Sequence, residues 1–269
     1  MYDKQQDYGV KYANINVDNF RDLGGIRLPC ERVIRSDMIF RSGELYGLTE
    51  QDKAELDKLG INYIFDLRSV DEVDYKPDYV PQNATYYNIP ASSSKRTMVV
   101  QIDKVVDMIP SWMPASICKS IFRAYFKHLY RKFPFDNPAY RKMFEVMDDG
   151  AKFLFHCTAG KDRTGVASML ILLALGADID TVQNDYMLSN YYRQLANKRF
   201  VEQFADYKHY AKYRKILPMT CEVEMRYFNA CYGKIIRKYG DVKKFLLNQY
   251  NIDDKRIDKW LHLYTFEGV

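Results

Sequence analysis

The sequence predicts an α/β fold in which helices flank a central, mostly parallel sheet, with helical additions in the C-terminal part. Strand-like and helix-like segments alternate as far as Gly176. This alternation is typical of α/β proteins, whose binding sites lie at the carboxyl ends of the strands. Beyond Gly176 the pattern is helical in the segments 179–189, 194–213, 222–238, 242–249 and 254–264.

The alternating part has a signal for each element. Thr49 suits the N-cap of a helix because Asp52 follows three positions later, and that helix should end near Leu59 and Gly60. Short apolar runs predict strands over 63–67, 85–89 and 153–155. Apolar and periodic segments predict helices over 121–130, 140–147 and 166–174.

The composition favours one large domain. The chain has 269 residues, of which 47% are hydrophobic and 28% are charged, which is enough apolar material for a sizeable core. We expect residues 1–18 to form a polar N-terminal arm and residues 19–269 a single domain, with lid or insertion elements at 91–120 and 191–239. The second of these segments is rich in tyrosine and basic residues, and plain helix packing would explain it as well as a lid does.

Charge and cysteine content exclude several classes of function. The net charge of +5 is modest and spread along the chain, so it does not indicate a nucleic-acid binder. The longest apolar stretch, 166–177, is too short to cross a membrane. The five cysteines have no paired spacing, which predicts free thiols in the cytoplasm. A secreted protein whose signal peptide had been removed would have the same sequence. Nothing in the sequence indicates the oligomeric state.

The most informative segment lies between the strand-like run 153–155 and the helix predicted over 166–174. It reads HCTAGKDRTG over 156–165, with Cys157 and Arg163 six positions apart. In a sharp turn between a strand and a helix, successive backbone amides form a nest for an anion, and the helix N-terminus lies behind it. Gly160 permits the close backbone approach that such a nest needs.

The residue types in this loop indicate phosphoryl chemistry. The guanidinium of Arg163 can clamp two phosphate oxygens, and the amides, the helix end and Arg163 all favour the nucleophilic thiolate of Cys157. Thr164 can donate a hydrogen bond to that thiolate, and His156 is better placed to orient the loop than to act as a base. The residues expected to contact a bound phosphate are Thr158, Ala159, Gly160, Lys161 and Thr164, although Lys161 could equally be solvated.

The leaving oxygen needs a general acid, and two carboxylates are candidates. Asp162 lies inside the loop, and Asp66 ends the strand-like run 63–67. The alternative for Asp162 is a solvated or ion-paired carboxylate. The alternative for Asp66 is a strand-end cap or a partner for Arg68.

The segment 156–165 resembles the phosphate loop of the cysteine-dependent protein tyrosine phosphatase superfamily. Other matching segments follow in the expected order: NFRDLGG over 19–25, RSGEL over 41–45, LT over 48–49, LGI over 59–61 and DLRS over 66–69. Together they resemble the bacterial group typified by the mycobacterial protein tyrosine phosphatase B and the listerial lipid phosphatase A. The resemblance runs from about residue 19 to the C-terminus and is weakest over 91–125 and 191–235.

This resemblance implies a protein tyrosine phosphatase-like fold and hydrolysis of phosphate monoesters through a cysteinyl-phosphate intermediate. Cys157 would be the nucleophile and Arg163 the phosphate ligand, with catalytic or substrate-binding roles for Asp162 and Lys161. Members act on phosphotyrosine, sometimes on phosphoserine or phosphothreonine, and sometimes on phosphoinositides. The expected partners are therefore phosphorylated proteins or phosphoinositides, with no metal and no cofactor. Eukaryotic-type relatives carry their acid in a Trp-Pro-Asp tripeptide, whose absence here favours Asp162.

Two other functions stay open at this stage. The same loop could serve a non-catalytic phosphate-binding module. A cysteine in an anion-binding loop also suits a sulfur-transfer or redox protein.

Overall fold

The computed structural model describes residue 12, residues 14–92, residue 110, residues 112–203 and residues 217–268. Its strands are β1 (Arg21–Asp22), β2 (Arg32–Ile34), β3 (Ile39–Ser42), β4 (Tyr63–Asp66), β5 (Thr85–Asn88), β6 (Phe153–His156) and β7 (Thr265–Glu267). Its helices are α1 (Glu50–Lys58), α2 (Val70–Tyr75), α3 (Ala115–Tyr130), α4 (Pro138–Met147), α5 (Arg163–Ala174), α6 (Ile179–Tyr192), α7 (Gln194–Gln203), α8 (Leu217–Cys221), α9 (Met225–Tyr239), α10 (Val242–Tyr250) and α11 (Asp254–Tyr264).

The central sheet has five strands in the order β1-β3-β6-β4-β5. Strand β1 runs antiparallel to β3, whereas the other neighbouring strands run parallel. This confirms the predicted α/β fold with a mostly parallel sheet. Ser42 and Asp66 lie opposite His156 on its two sides, so three strands end at the same edge. The loop that starts at Cys157 leaves the sheet from the middle of that edge.

The sheet separates two apolar cores because successive side chains of a strand point to opposite faces. In the central strand β6, Phe153 and Phe155 contribute to the larger core and Leu154 to the smaller one. The adjacent strand β4 divides in the same way, with Phe65 in the larger core and Ile64 in the smaller one. Burial on both faces explains why these runs are apolar throughout rather than alternating.

Helix α5 fills the larger core directly behind the loop. It is buried at eleven of its twelve positions, which agrees with the apolar run that predicted it. Its first residue is Arg163, so the helix begins three residues earlier than the predicted 166. Its N-terminus is therefore part of the loop itself.

Several predicted elements match the structure closely. Thr49 and Asp52 form the predicted capping box of α1, and α11 spans the predicted 254–264. Helix α3 begins at residue 115 rather than 121, because Pro114 stands at its N-cap and a proline before the first turn does not interrupt a helix. The end of the predicted helix 194–213 lies outside the described residues, as do most of 91–111.

Strand β3 and helix α2 are among the elements that were not predicted, and both contribute to the site. Strand β3 is buried at all four positions, including the polar residues Arg41 and Ser42, so it has no apolar alternation to reveal it. Helix α2 is short, and its start is a capping box formed by Ser69 and Glu72. The residues before β1 that the structure describes pack onto the smaller core through Tyr12, Ile15 and Val17.

A second, two-stranded sheet joins distant parts of the sequence. Strand β7 pairs antiparallel with β2, so that Arg32 lies opposite Glu267.

Among the described residues, none of the helices combines the length and apolar composition needed to span a bilayer.

The packing of α11 generates a stability prediction. Trp260 is fully buried, its ring stacks on Phe144 with centroids 5.6 Å apart, and its Nε1 donates to Asp148 at 2.9 Å. We expect Trp260→Ala to lower the free energy of unfolding by about 3–5 kcal/mol, because it leaves a large cavity. Trp112→Ala is the matched control: that ring is 79% exposed, so the change should stay within about 0.5 kcal/mol. Urea unfolding measures both, and equal effects would contradict this account of the core.

Candidate active site

The loop 157–162 joins the central strand β6 to the buried helix α5, as the sequence predicted. Cys157 follows the last residue of β6 and is only 2% exposed. Arg163 is the first residue of α5 and is 4% exposed. The two residues interact electrostatically, with the Cys157 charge helping to raise the pKa of Arg163 against the effect of burial. The structure therefore brings the predicted nucleophile and the predicted phosphate ligand together.

The carbonyl groups of the loop are held from outside the loop. The carbonyl oxygen of Gly160 accepts hydrogen bonds from Asn19 Nδ2 at 2.7 Å and from Arg41 at 3.0 Å. The carbonyl oxygen of Ala159 accepts from Arg193 at 2.9 Å, and that of Thr158 accepts from the Glu44 amide at 3.1 Å. In a planar peptide the carbonyl and the amide point in opposite directions. The amides that follow these carbonyls therefore point into the loop, as an anion nest requires.

Gly160 is required at its position for two reasons. Its φ is +64°, and a Cβ atom built there would lie 2.2 Å from the carbonyl oxygen of Ser42 on β3. Any side chain would push the loop away from the edge of the sheet. This agrees with the close backbone approach predicted for Gly160.

Arg163 is held by a residue that sequence reasoning missed. Glu72 on α2 accepts hydrogen bonds from Arg163 at 2.8 and 2.9 Å and from the hydroxyl of Thr158 at 2.6 Å. Burial would raise the pKa of Glu72, but the charge and hydrogen bonds of Arg163 outweigh it and lower the pKa to about 2. The Ser69-x-x-Glu72 pattern is a capping-box signal. It could have revealed the start of α2, but not the second contact that Glu72 makes with Arg163.

Two donors in the first turn of α5 have no partner within the described part of the chain. Arg163 Nε and Thr164 Oγ1 are both buried, and no hydrogen bond to either atom is formed there. The hydrogen bond predicted from Thr164 to the leaving Cys157 thiolate stays a prediction, and the Thr164 hydroxyl makes no such bond in the resting site. Buried donors normally have partners, so these two are available to an anion that enters the loop.

Asp162 lies at the loop end with polar neighbours on both oxygens. Tyr130 on α3 donates a hydrogen bond to Oδ1 at 2.6 Å, and Lys161 Nζ lies 2.8 Å from Oδ2. Tyr186 on α6 donates in turn to the Tyr130 hydroxyl at 2.9 Å. Lys161 is 4% exposed and lies over the ring of Phe126 at 5.8 Å. Neither Asp162 nor Lys161 is a solvated surface residue, although the ion-paired alternative for Asp162 matches its contact with Lys161.

Asp66, the other carboxylate considered for general acid, contacts Arg68 instead. Both of its oxygens accept hydrogen bonds from Arg68, and one also accepts from Tyr86 at 2.7 Å. Burial would raise the pKa of Asp66, but the charges of His156 and Arg68 hold it below its usual value. This geometry corresponds to the alternative in which Asp66 is a structural partner for Arg68.

His156 is fully buried beside this cluster. Its Nε2 lies 3.3 Å from Asp78 Oδ2, and burial lowers its pKa. Burial and the nearby Asp66 carboxylate raise the pKa of Asp78 to about 8. Asp66, Asp78 and His156 could each offer a ligand atom to a metal ion. However, Arg68 donates to both carboxylates, so its guanidinium already occupies the cation position.

Comparison with known proteins agrees with this geometry. The model of the tyrosine phosphatase family matches residues 14–266. A Cupriavidus necator protein provisionally named a tyrosine-protein phosphatase is 27% identical over 238 residues, which cover 88% of this chain and 83% of that protein. The triple specificity protein phosphatase PtpB of Mycobacterium tuberculosis is 31% identical over 193 residues, covering 64% of this chain and 66% of PtpB.

A third relative, a tyrosine-protein phosphatase of Nostoc commune, is 30% identical over 162 residues, covering 59% of this chain and 50% of the relative. The family match extends over nearly the whole chain, including the loop, α2 and the strands that hold them. The chain belongs to the tyrosine phosphatase family, and it is a phosphoric monoester hydrolase of the protein tyrosine phosphatase type.

Proposed function

We propose that this enzyme removes phosphate from phosphotyrosine in proteins through a cysteinyl-phosphate intermediate on Cys157. The observation that carries the proposal is the free Nε donor of Arg163 at the end of a loop whose carbonyls face outward. Glu72 occupies the terminal nitrogens of Arg163. A phosphate oxygen can therefore bind to Nε and to the loop amides without breaking the Arg163–Glu72 pair.

The proposed reaction has two steps. In the first, the Cys157 thiolate attacks phosphorus, the bond from phosphorus to the ester oxygen breaks, and Asp162 gives its proton to the leaving oxygen. In the second, Asp162 takes a proton from water as the water oxygen bonds to phosphorus and the sulfur–phosphorus bond breaks. Arg163 and the amides stabilise the charge on the transferring group in both steps.

Lys161 and Thr158 have supporting roles in this proposal. Without substrate, Lys161 contacts Asp162. In the first step Lys161 would bind a phosphate oxygen instead, which frees Asp162 to turn toward the leaving oxygen. The Thr158 hydroxyl donates to Glu72 and so helps to hold Arg163 in place.

The substrate could extend beyond phosphotyrosine. The Mycobacterium tuberculosis relative is named a triple specificity phosphatase, which supports including phosphoserine, phosphothreonine and phosphoinositides as candidates. A panel of phosphotyrosine and phosphoserine peptides and short-chain phosphoinositides decides among them, and we expect the highest kcat/KM on phosphotyrosine.

The described thiols are all free, which supports the cytoplasm as the location.

Replacement of the nucleophile tests the mechanism directly. We expect Cys157→Ser to abolish hydrolysis of an aryl phosphate in metal-free buffer while binding of inorganic phosphate persists, because a hydroxyl in the same cradle is a far weaker nucleophile. Cys30→Ser is the matched control, since Cys30 is exposed and free, and it should retain full turnover. Undiminished turnover in Cys157→Ser would contradict the proposal. A wild-type protein that binds phosphopeptide without turnover would be a binding module, and a persulfide on Cys157 with no phosphatase activity would indicate sulfur transfer.

Substrates with different leaving groups test whether Asp162 is the general acid. We expect Asp162→Asn to lower kcat by about 10²–10⁴-fold on phosphotyrosine, whose leaving oxygen needs a proton. The loss should be much smaller on an aryl phosphate with a strongly electron-withdrawing ring. Asp66→Asn serves as the comparison: it should lower stability by removing the partner of Arg68, with no dependence on the leaving group. A leaving-group effect in Asp66→Asn rather than Asp162→Asn would reverse the assignment.

The role of Glu72 is tested by its neutral counterpart. We expect Glu72→Gln to lower kcat/KM on the order of 10²-fold, because a misplaced Arg163 no longer meets the transferring phosphoryl group. Glu55→Gln is the control, since Glu55 forms only a surface pair with Lys58 on α1. Steady-state kinetics of the two variants measure the effect, and unchanged kinetics in Glu72→Gln would show that Arg163 is positioned without it.

A further inference from the structure

Two buried arginines contact the outer side of the loop and share one carboxylate. Arg41 on β3 and Arg21 on β1 both bind Asp185 on α6, with Arg21 Nε 3.0 Å from Oδ1 and Arg41 on Oδ2. The side chains of both arginines are 0% exposed, and that of Asp185 is 3% exposed. Arg41 also donates to the carbonyl oxygen of Gly160 at 3.0 Å. We call these three residues the Arg21–Arg41–Asp185 cluster.

This cluster carries one uncompensated positive charge. The charges of Arg41 and Arg21 outweigh burial and hold the pKa of Asp185 below its usual value, so Asp185 is ionised. Burial and the like charge of Arg21 lower the pKa of Arg41 to about 10, while Asp185 and Cys157 act in the opposite direction. Arg41 is therefore still charged at neutral pH, and it interacts with Cys157. The other contacts of Asp185 and Arg21 include the neutral hydroxyls of Ser168 and Ser189.

The other described charges around the loop are paired. Four ion pairs contact the loop or the strand ends beside it, and each has no net charge: Arg163–Glu72, Lys161–Asp162, Arg68–Asp66 and Lys76–Glu44. His156 and Asp78 lie against each other with pKa values shifted toward their neutral forms. Tyr140 faces Cys157 as a neutral phenol, since burial raises its pKa well above the usual value.

Arg193 is the remaining cation at the loop, and it differs from the cluster in exposure. It binds the carbonyl oxygen of Ala159 at 2.9 Å and is partly exposed. Solvent screens a charge in such a position, whereas a charge in a dry interior acts with much less screening. The buried cluster is thus the stronger source of positive potential at Cys157.

We propose that the Arg21–Arg41–Asp185 cluster supplies the unbalanced positive charge that stabilises the Cys157 thiolate, and that Arg41 is a positioning residue for this nucleophile. Arg163 is largely neutralised by Glu72 in the absence of substrate, so it supplies less of this stabilisation than its place in the loop suggests. The consequence for catalysis rests on the proposed function, but the charge effect itself can be measured without turnover.

The test is the pH dependence of Cys157 alkylation. Iodoacetamide is applied over a range of pH, and the rate for the Cys157 peptide is followed by mass spectrometry, with exposed Cys30 in the same molecule as reference. We expect Arg41→Gln to shift the pH midpoint of Cys157 alkylation upward by about one unit, which is a tenfold loss of thiolate below the midpoint. Asp185→Asn removes the counter-charge and should shift the midpoint downward. Arg41→Lys keeps the charge and should stay close to wild type.

Opposite shifts in Arg41→Gln and Asp185→Asn distinguish a charge effect from a structural one, because loosening the loop would move both in the same direction. Arg256→Gln is the control for loss of an arginine elsewhere, since Arg256 pairs with Asp148 and its hydrogen bonds go to residues outside the loop, and its midpoint should be unchanged. If Arg41→Gln does not fold, Arg21→Gln takes its place, and it should also shift the pH midpoint of Cys157 alkylation upward. Unmoved midpoints in the folded variants, or shifts of the same sign, would overturn the proposal. A wild-type protein without phosphatase activity would refute the proposed function. The alkylation midpoints would still decide whether the cluster stabilises the Cys157 thiolate.

Discussion

The carbonyl group of Gly160 and its two donors, Asn19 and Arg41, fix the geometry on which the rest of the site depends. Because this carbonyl is held outward, the following amide faces inward. The loop can then hold an anion with backbone groups that need no rearrangement. The donors come from the segment before β1 and from β3, so these neighbouring parts of the sheet, rather than the loop alone, determine the shape of the cradle.

Many buried charges among the described residues are arranged as neutral pairs, and the Arg21–Arg41–Asp185 cluster at the site is an exception. Desolvation makes an unpaired buried charge expensive, so a fold tolerates one only where other contacts hold it in place. Helix α6 supplies Asp185 for both Arg21 and Arg41, and helix α2 supplies Glu72 for Arg163. The same few residues therefore carry buried charge, which costs stability, and surround the proposed nucleophile. Such arrangements of buried charge are common at functional sites.

The sequence was sufficient to place the parts of the site that are local. Cys157, Gly160 and Arg163 lie close together between a strand and a helix, as residue type and spacing predicted, and their catalytic roles stay a prediction. The residues that hold them were beyond this reasoning because they come from elsewhere in the chain. Tyr130 on α3 resembles any aromatic residue on an amphipathic helix, and Asp185 on α6 resembles any polar residue on a helix.

The same contrast applies to the fold. Apolar runs buried on both faces identified β4 and β6, the half-buried aromatic run identified β5, and the N-cap at Thr49 identified α1. Strand β3 was not identified, because its last two residues, Arg41 and Ser42, are polar and yet fully buried. Buried polar residues in a short strand break the pattern that indicates burial. Here Arg41 binds the loop and α6, and Ser42 donates to the carbonyl of Gly43.

The pairing of β2 with β7 has a consequence for biosynthesis. Residues near opposite ends of the described sequence must meet before this small sheet exists. During translation Arg32 leaves the ribosome long before Glu267 does. The side of β2 that pairs with β7 therefore stays unpaired while most of the polypeptide is being made, although residues 26–28 pair with its other side. An unpaired strand edge can associate with other chains. The sheet of β2 and β7 is completed only after β7 has been synthesised. Nascent chains that stall earlier would expose the unpaired backbone groups of β2 to chaperones.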